Sequence, residues 1–185
     1  MVFTADTDLT LTHAAAVANT GPGLGDEDRE ELPDVAALGA WFDRWEWTGR
    51  RPSSRAELEA VHALRPRLRR LWSLREDALV DEVNALLAEG GALPRLVRHG
   101  DIGWHVHATS DEAPIAQRIA VEVGMALVDV IRAGEVDRLR TCAGEDCEDV
   151  LVDLSRNRSR KFCDGTCGTR ANVAAYRARK AAADS

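Results

Sequence analysis

The sequence lacks any apolar run approaching the roughly 20 residues that cross a bilayer, so it predicts no membrane span. The first 20 residues also lack the basic segment and the apolar run of a secretory signal. We therefore expect a cytoplasmic protein whose thiols stay reduced. Lysine is scarce as well: two lysines against 22 arginines, among many alanines, are typical of a GC-rich bacterial gene.

Recognisable catalytic motifs are also missing. No serine lies in a nucleophile elbow, no histidine and carboxylate have a recognisable spacing, and the glycine-rich residues 21–25 lack the lysine of a phosphate-binding loop. The sequence therefore predicts that the protein is not an enzyme. The enzymatic alternative is a hydrolase that would use His105, His107 and a carboxylate that the sequence does not identify.

Cysteine is limited to four residues near the C-terminus, spaced C-x4-C and C-x3-C with fifteen residues between the two pairs. This spacing is typical of a structural zinc site, in which each pair delivers two thiolates to one tetrahedral ion. Two disulfides, in any of three pairings, are the alternative, which a reducing compartment disfavours. Four thiolates leave no open position for water, so the ion would be structural. The predicted ligands are Cys142, Cys147, Cys163 and Cys167.

The segment from Cys142 to Lys180 contains few apolar residues. Chains below about 40 residues rarely bury enough apolar area to fold unaided. Zinc binding contributes about 10–16 kcal/mol of apparent free energy to such peptides. The metal is therefore predicted to decide whether this module folds.

Charge is divided unevenly along the chain. Residues 1–141 carry 16 arginines against 24 acids, whereas residues 156–180 carry eight basic residues against Asp164 alone. A basic end on an acidic body predicts a nucleic-acid partner. In the alternative, these residues balance the charge of the zinc centre, which only stabilises the C-terminus of a ligand-sensing or protein-interaction protein. The predicted nucleic-acid contacts are Arg156, Arg158, Arg160, Lys161, Arg170, Arg177, Arg179 and Lys180.

Hydrophobic periodicity in the body predicts helices. Asp34 is a candidate N-cap for a helix to about Trp47, and Ser54-x-x-Glu57 is a capping-box pattern for the next one. Pro66 is expected to end or kink that helix near residues 64–65, after which the pattern resumes over residues 68–86 and closes at residues 90–91. Five arginines crowd this region, as a solvated face or as an anion site for a small ligand: Arg65, Arg67, Arg69, Arg70 and Arg75.

Residues 92–98 and 102–108 alternate like the strands of a hairpin around a loop at residues 99–101. His105 and His107 would share one face of a strand, where they form a second metal site with His99 or simply face solvent. Asp111 is then expected to cap a long helix that ends at Gly134, with a buried stripe of Ile115, Ile119, Val123, Leu127 and Ile131. The predicted class is α+β: a mainly helical N-terminal domain with a β-hairpin, then a small zinc-bound module of two knuckles and a basic helix.

The motif of residues 153–163 (DLSRNRSRKFC), followed by Cys167-Gly168-Thr169-Arg170, closely resembles the CGNR zinc finger. That family carries D-x-S-x-N-x-x-R-x-[WF]-C, then C-G-N-R and a basic helix. The upstream residues look like an ABATE domain, which precedes this finger in bacterial proteins described as putative stress-induced transcription regulators. Its marks are residues 18–20, 65–75 and 103–107. The resemblance implies an ABATE-like domain at 1–140 and a zinc finger at 141–185.

The same resemblance implies a cytoplasmic transcription regulator of the stress response, with one structural zinc ion. Its basic helix, at residues 171–182, would contact DNA, while RNA stays open as the partner. Val173 and Tyr176 are expected to pack on the knuckles. Thr169 replaces the asparagine of the family name, and its hydroxyl could replace only one of the amide's hydrogen bonds. A small ligand in the body is a further candidate partner, and a homodimer is another, because one small finger usually needs a second copy to reach useful affinity.

Overall fold

In the computed structural model, which describes residues 2–23, 29–98 and 103–183, five α-helices and a β-hairpin precede the cysteine region. A second hairpin and a sixth helix form that region, joined to the body by a 3₁₀ turn at Val136–Arg138. The elements are α1 (Ala5–Ala18), α2 (Val35–Arg44), α3 (Arg55–Leu71), α4 (Glu76–Glu89), β1 (Arg95–Arg98), β2 (Trp104–His107), α5 (Ile115–Arg132), β3 (Leu139–Thr141), β4 (Val150–Val152) and α6 (Gly165–Ala183). This is the predicted α+β class with a mainly helical body.

The helix α5 lies at the centre of the body and contacts α1, α3 and α4. Its predicted stripe is confirmed, because Ile115, Ile119, Val123 and Leu127 are each fully buried. Full burial of one such side chain contributes roughly 1.5–3 kcal/mol. Only Ile131, at the end of the stripe, is half-buried.

Two predicted helix starts are confirmed. The Asp34 carboxylate accepts a hydrogen bond from the Ala37 amide at 2.8 Å, which caps α2. The Ser54 hydroxyl accepts from the Glu57 amide at 3.3 Å and so caps α3. The end of α2 lies three residues before the predicted one, because Glu46 adopts a φ of 52°, in the left-handed region that no α-helix continues through.

Of the two expected effects of Pro66, an end or a kink, the end is wrong, because α3 runs through Pro66 to Leu71. Proline in a helix interior costs about 3 kcal/mol, yet Leu64, Leu68 and Leu71 are all buried in the core by the continued helix. The break comes later, between Leu71 and Glu76, inside the stretch that the periodicity treated as one pattern.

The start of α5 also differs from prediction. Pro114 is its N-cap, whereas Asp111 lies three residues earlier and its carbonyl accepts a hydrogen bond from the Arg50 amide at 2.7 Å. A residue before proline avoids the helical region, which delays the helix to Ile115. The helix α1 was not predicted at all, since Leu9 and Leu11 alternate like a strand and three of its seven buried residues are alanines.

The predicted hairpin is confirmed, with β1 and β2 antiparallel and Val97 opposite His105. Its predicted turn at residues 99–101 lies outside the described residues.

The second hairpin attaches the cysteine region to the body. Strands β3 and β4 are antiparallel, and their Leu139, Val150 and Val152 belong to the main core. The Asn19 side chain at the end of α1 hydrogen-bonds both the Val150 carbonyl, at 2.8 Å, and the Val150 amide, at 2.9 Å. The Trp72 indole donates to the Leu151 carbonyl at 2.7 Å. The module is therefore fixed to the body, as its short linker predicted.

Candidate metal centre and nucleic-acid interface

The four cysteines come together although the first and the last of them have 24 residues between them in sequence. Their sulfur atoms all lie within 4.8 Å of one another. The Sγ atom of Cys163 is 3.8 Å from that of Cys147 and 3.6 Å from that of Cys167. A tetrahedral zinc ion with Zn–S bonds of about 2.3 Å places its sulfurs about 3.8 Å apart. The cluster therefore fits one structural zinc ion, and the disulfide alternative is not realised, since all four thiols are free.

Backbone amides and burial set the electrostatics of this cluster. Burial opposes ionisation of the Cys142 thiol, but the amides of Cys163 and Gly144 point at its sulfur, from 3.3 and 3.4 Å, and its pKa lies below the ordinary value. Burial raises the pKa of Cys147 to about 11, and burial with the adjacent thiols raises the pKa of Cys163 further. Thiols in this environment do not ionise together unless a cation balances their negative charges, and a zinc ion would supply that positive charge.

The knuckles are closed by hydrogen bonds between distant backbone segments. The Cys142 amide donates to the Asp149 carbonyl and the Ala143 amide to the Lys161 carbonyl, both at 2.8 Å. The Asp164 carboxylate accepts from the Cys167 amide at 2.8 Å and caps the start of α6. Zinc and cap together fix where this helix begins.

The segment between the two cysteine pairs is organised by Asp153, whose side chain is fully buried. Its carboxylate accepts from the Ser155 amide and the Arg160 amide, each at 3.0 Å, and pairs with Arg140 at 3.0 Å. Burial opposes its ionisation, but the hydrogen bonds led by Ser155 hold the pKa of Asp153 below its usual range. The aspartate and serine of the D-x-S motif therefore fix the conformation of the loop between the two cysteine pairs through these hydrogen bonds.

The helix α6 extends away from the knuckles. Every residue from Asn172 to Ala182 is exposed, including Val173 at 42 % and Tyr176 at 62 %. The expectation that Val173 and Tyr176 pack on the knuckles is therefore wrong, because their side of the helix faces solvent. Leu151 and Phe162 fill that role instead, beside the sulfurs.

The predicted nucleic-acid residues divide into two groups. Arg158 forms an ion pair with Glu135 at 2.8 Å, Arg160 donates to the Cys163 carbonyl at 2.6 Å, and the Arg170 guanidinium lies 4.0 Å from the Cys167 sulfur. The second group is exposed and makes no ion pair or side-chain hydrogen bond with any described residue; it consists of Arg156, Lys161, Arg177, Arg179 and Lys180. Contact with nucleic acid stays a prediction for all eight.

Three of the five arginines between residues 65 and 75 contact acidic side chains or backbone carbonyls of the body. Arg65 is buried in a bidentate pair with Glu30, Arg67 pairs with Glu82 and Glu89, and Arg69 donates to backbone carbonyls at Ala18 and Pro22. The solvated-face prediction is wrong for Arg65 and holds for the exposed Arg70 and Arg75. A cavity of about 430 Å³ is lined by Arg65, Arg69 and Arg70, so the anion site stays a prediction.

The two histidine side chains of β2 lie close together, with the Nε2 atoms of His105 and His107 3.2 Å apart. His99 lies outside the described residues. Across the ranges that the structure describes, the cysteine cluster is the one group with the geometry of a metal site. No described helix is both long and apolar enough to cross a membrane.

Thr169, the departure from the family name, lies exposed in α6. Its hydroxyl makes no hydrogen bond with the described residues, so the expected replacement bond is absent there. The four sulfurs nevertheless stay close together.

Sequence reasoning missed the arginines that support the module from the body side. Arg138 is buried and donates to the carbonyls of Asp153 and Ser155, while Arg140 donates to those of Arg158 and Arg160. Their position just before the first cysteine is the only local signal, because these four carbonyls lie 15 to 20 residues away in sequence.

Comparison with known proteins supports both halves of this architecture. The family described as "Putative stress-induced transcription regulator", ABATE, matches residues 12–134. The family described as "CGNR zinc finger" matches residues 138–180, which include the four cysteines. No curated protein matches the chain significantly.

Proposed function

The chain belongs to the ABATE family and carries a CGNR zinc finger, and from this premise we propose that it is a DNA-binding transcription regulator whose zinc module presents α6 to DNA. The observation that carries the proposal is an exposed helix without acids. Helix α6 has four basic residues and no aspartate or glutamate among its 19 residues. Double-stranded DNA attracts such an element through its phosphates, whatever the base sequence.

The exposed residues of α6 are sorted by face. At about 100° per residue, Arg170, Val173, Tyr176, Arg177 and Lys180 fall within about 120° of one another. The opposite side consists mainly of alanines, such as Ala171, Ala175 and Ala178, and also carries Asn172 and Arg179. Cations on the first face suit phosphates and guanine edges, while Val173 and Tyr176 between them suit thymine methyl groups and sugars.

The dimensions are also suitable. A helix of 19 residues is about 28 Å long, and the major groove, about 12 Å wide, admits an α-helix. Because α6 is fixed only at its N-terminal turn, by Asp164 and the sulfurs, the rest of it is free to enter a groove. Arg156 and Lys161 lie exposed in the preceding segment and supply further phosphate contacts.

Salt dependence tests this proposal. If the five unpaired cations neutralise phosphates, log affinity falls against log salt concentration with a slope of about −4 to −5. In gel-shift titrations of the zinc-loaded protein, Arg177→Ala should reduce the magnitude of that slope by about 1. Arg75→Ala is the matched control, since it removes an exposed arginine from the body.

A flat salt response, or equal effects of the Arg177 and Arg75 changes, would remove DNA contact by α6 from the account. Competition by RNA in the same titration identifies the preferred nucleic acid. A selected site with two half-sites would support a homodimer, since one small module rarely gives useful specific affinity.

The alternative, a protein in which zinc only stabilises the C-terminus, is favoured by a specific observation. Arg158, Arg160 and Arg170 are directed at Glu135, at a knuckle carbonyl and at a cysteine sulfur, as a purely structural role requires. Arg177 decides between the two functions, because it has no such partner among the described residues. As a regulator, the protein would act in the cytoplasm under stress and would not be an enzyme.

A further inference from the structure

A cavity of about 540 Å³ lies in the body, between α1, α5 and the β1–β2 hairpin. Its volume falls in the range of about 300–1,000 Å³ that holds small ligands. The cavity is separate from the cysteines and from α6, none of whose residues line it. The proposed DNA contacts therefore leave it without a role.

One buried polar atom in its wall, the indole nitrogen of Trp47, has no hydrogen-bond partner among the described residues, and the His13 ring lies beside it. His13 is 7 % exposed, and its ring makes no hydrogen bond with the described residues, although it contacts the rings of Trp45 and Trp47 at 5.1 and 5.5 Å between centroids. The indole N–H of Trp47 is buried and also lacks an acceptor among those residues. Buried polar groups are usually hydrogen-bonded to protein or to ordered water, so the Trp47 N–H is a donor that a polar atom of a ligand would satisfy.

The cavity wall carries five acids against two arginines, Arg118 and the exposed Arg132. Glu122 is half-buried and forms no hydrogen bond or ion pair with any residue in the described ranges. Burial, followed by the nearby charge of Asp6, raises the pKa of Glu122 to about 7. Among the other lining residues, the Arg118 guanidinium is already committed to the carbonyls of Thr48, Arg50 and Ala113. The lining acids are Asp6, Glu46, Asp111, Glu122 and Asp129.

The rim of the cavity is apolar and exposed. Leu96 is 68 % and Trp104 69 % exposed, and Leu9 is 44 % exposed on the facing helix. Tryptophan faces also attract organic cations. A ligand that satisfies this wall has an apolar ring or chain for the rim, a cationic group for Glu122 and Asp6, and an acceptor oxygen for the Trp47 N–H.

We propose that this cavity is a binding site for a small amphipathic amine, held by Glu122 and Asp6 at its cationic end and by Trp47 and His13 at a polar oxygen. A bare metal ion is not the occupant we infer, because the described cavity residues do not group as metal ligands. A metal ion would also make no contact with the apolar rim.

Three probes of equal size separate charge from shape: tyramine, its neutral analogue tyrosol and its anionic analogue 4-hydroxyphenylacetate. We expect calorimetric titration of the zinc-loaded full chain at pH 7.5 to give at least tenfold tighter binding of tyramine than of the other two. Glu122→Gln should weaken tyramine about tenfold and leave tyrosol unchanged. Glu59→Gln, an exposed acid on α3 away from the cavity, is the matched control.

A second readout does not depend on the variant. In the wild-type protein, tyramine should shift the indole N–H signal of Trp47 and the backbone signals of the first turns of α1, and leave the cysteine module unperturbed. Equal binding of tyrosol, tightest binding of the anion, an unaffected Glu122→Gln protein, or no binding at millimolar tyramine would each overturn the proposal.

Discussion

In the body, contacts between elements are made by leucine, isoleucine and valine side chains from five helices, whereas inside the C-terminal module the corresponding contacts are made mainly by sulfur. The main core is continuous from α1 through α5 to strands β3 and β4. The second cluster contains the four cysteines with Leu151 and Phe162. The body can therefore fold by burial of apolar surface, while the far half of the module depends on its ion.

The border between these two regimes lies inside the module. Strand β4 has Val150 and Val152 in the apolar core and Leu151 beside the sulfurs. The first hairpin of the module thus belongs energetically to the body, and the second cysteine pair with α6 belongs to the metal. Four variants test this division.

Loss of one zinc ligand should have the largest effect. In Cys163→Ser, we expect the apparent contribution of zinc, about 10 kcal/mol or more, to disappear and the second knuckle to unfold. Native mass measurement should fall from one zinc per chain to none, with a loss of helical circular dichroism matching α6. Ser159→Ala in the same segment is the control, and a variant that keeps its zinc would contradict the assignment.

A substitution that opens a cavity in the core of the body should lower the stability of the body and leave zinc binding unchanged. Ile119→Ala, at a fully buried position of α5, should cost about 2–5 kcal/mol of unfolding free energy. Urea unfolding followed by tryptophan fluorescence measures this change, with the exposed Arg132→Ala as the control on the same helix. Zinc stoichiometry at 25 °C should stay at one per chain. Loss of zinc while the body stays folded would contradict the separation between the core of the body and the metal-dependent module.

The junction should be sensitive to Asn19. Asn19→Ala leaves the amide and carbonyl of the buried Val150 without partners, at a cost of about 2 kcal/mol. The Val150 amide should exchange hydrogen faster, while amides of α5 stay protected. Asn19→Asp retains the acceptor and should restore the protection of that amide in part; unchanged exchange in both variants would show that the junction depends on other contacts.

The smallest effect is pH-dependent and confined to the body. The folded pKa of Glu122 is raised to about 7, above an unfolded value of about 4.3, so its penalty on stability grows as pH rises between them. Glu122→Gln should therefore stabilise the protein, by about 1 kcal/mol more at pH 8 than at pH 6. Urea unfolding at the two values measures the difference, with Glu59→Gln as the control.

His13 acts in the opposite direction. Burial lowers the folded pKa of His13 to about 4, from its ordinary value of 6.5, so the ring is held neutral and its contribution to stability is lost as pH falls between these values. In the wild type, the pH-dependent contributions of Glu122 and His13 to stability partly cancel.

A gain in stability from Glu122→Gln that is equal at both pH values would contradict the burial of the Glu122 carboxyl.

The sequence was most informative where a feature is local. Asp34 and Ser54 cap helices as their spacing predicts, the stripe of α5 is buried, and the four cysteines singled out by their spacing do form one cluster. The motif D-x-S also lies where the resemblance placed it, although the function of Asp153 as a buried acceptor became visible only through its partners.

The features that escaped prediction depend on long-range packing. Pro66 continues a helix because Leu68 and Leu71 are buried beyond it, which no local rule includes. Asn19 contacts Val150, 131 residues away, and His13 meets Trp47 in a wall built from several elements. The exposure of Val173 and Tyr176 follows from the direction in which α6 leaves the knuckles, and periodicity does not specify that direction.

Hydrogen exchange of the zinc-loaded and chelator-treated protein tests the division between body and module most directly. With zinc removed, we predict rapid exchange of the Ala143 amide, which donates to the Lys161 carbonyl between the knuckles, and of the Cys167 amide at the start of α6. The amides of Ile119 and Leu127 should keep their protection. If all four amides lose protection together, or if the Ala143 amide stays protected without metal, then zinc does not hold the module in the way proposed here.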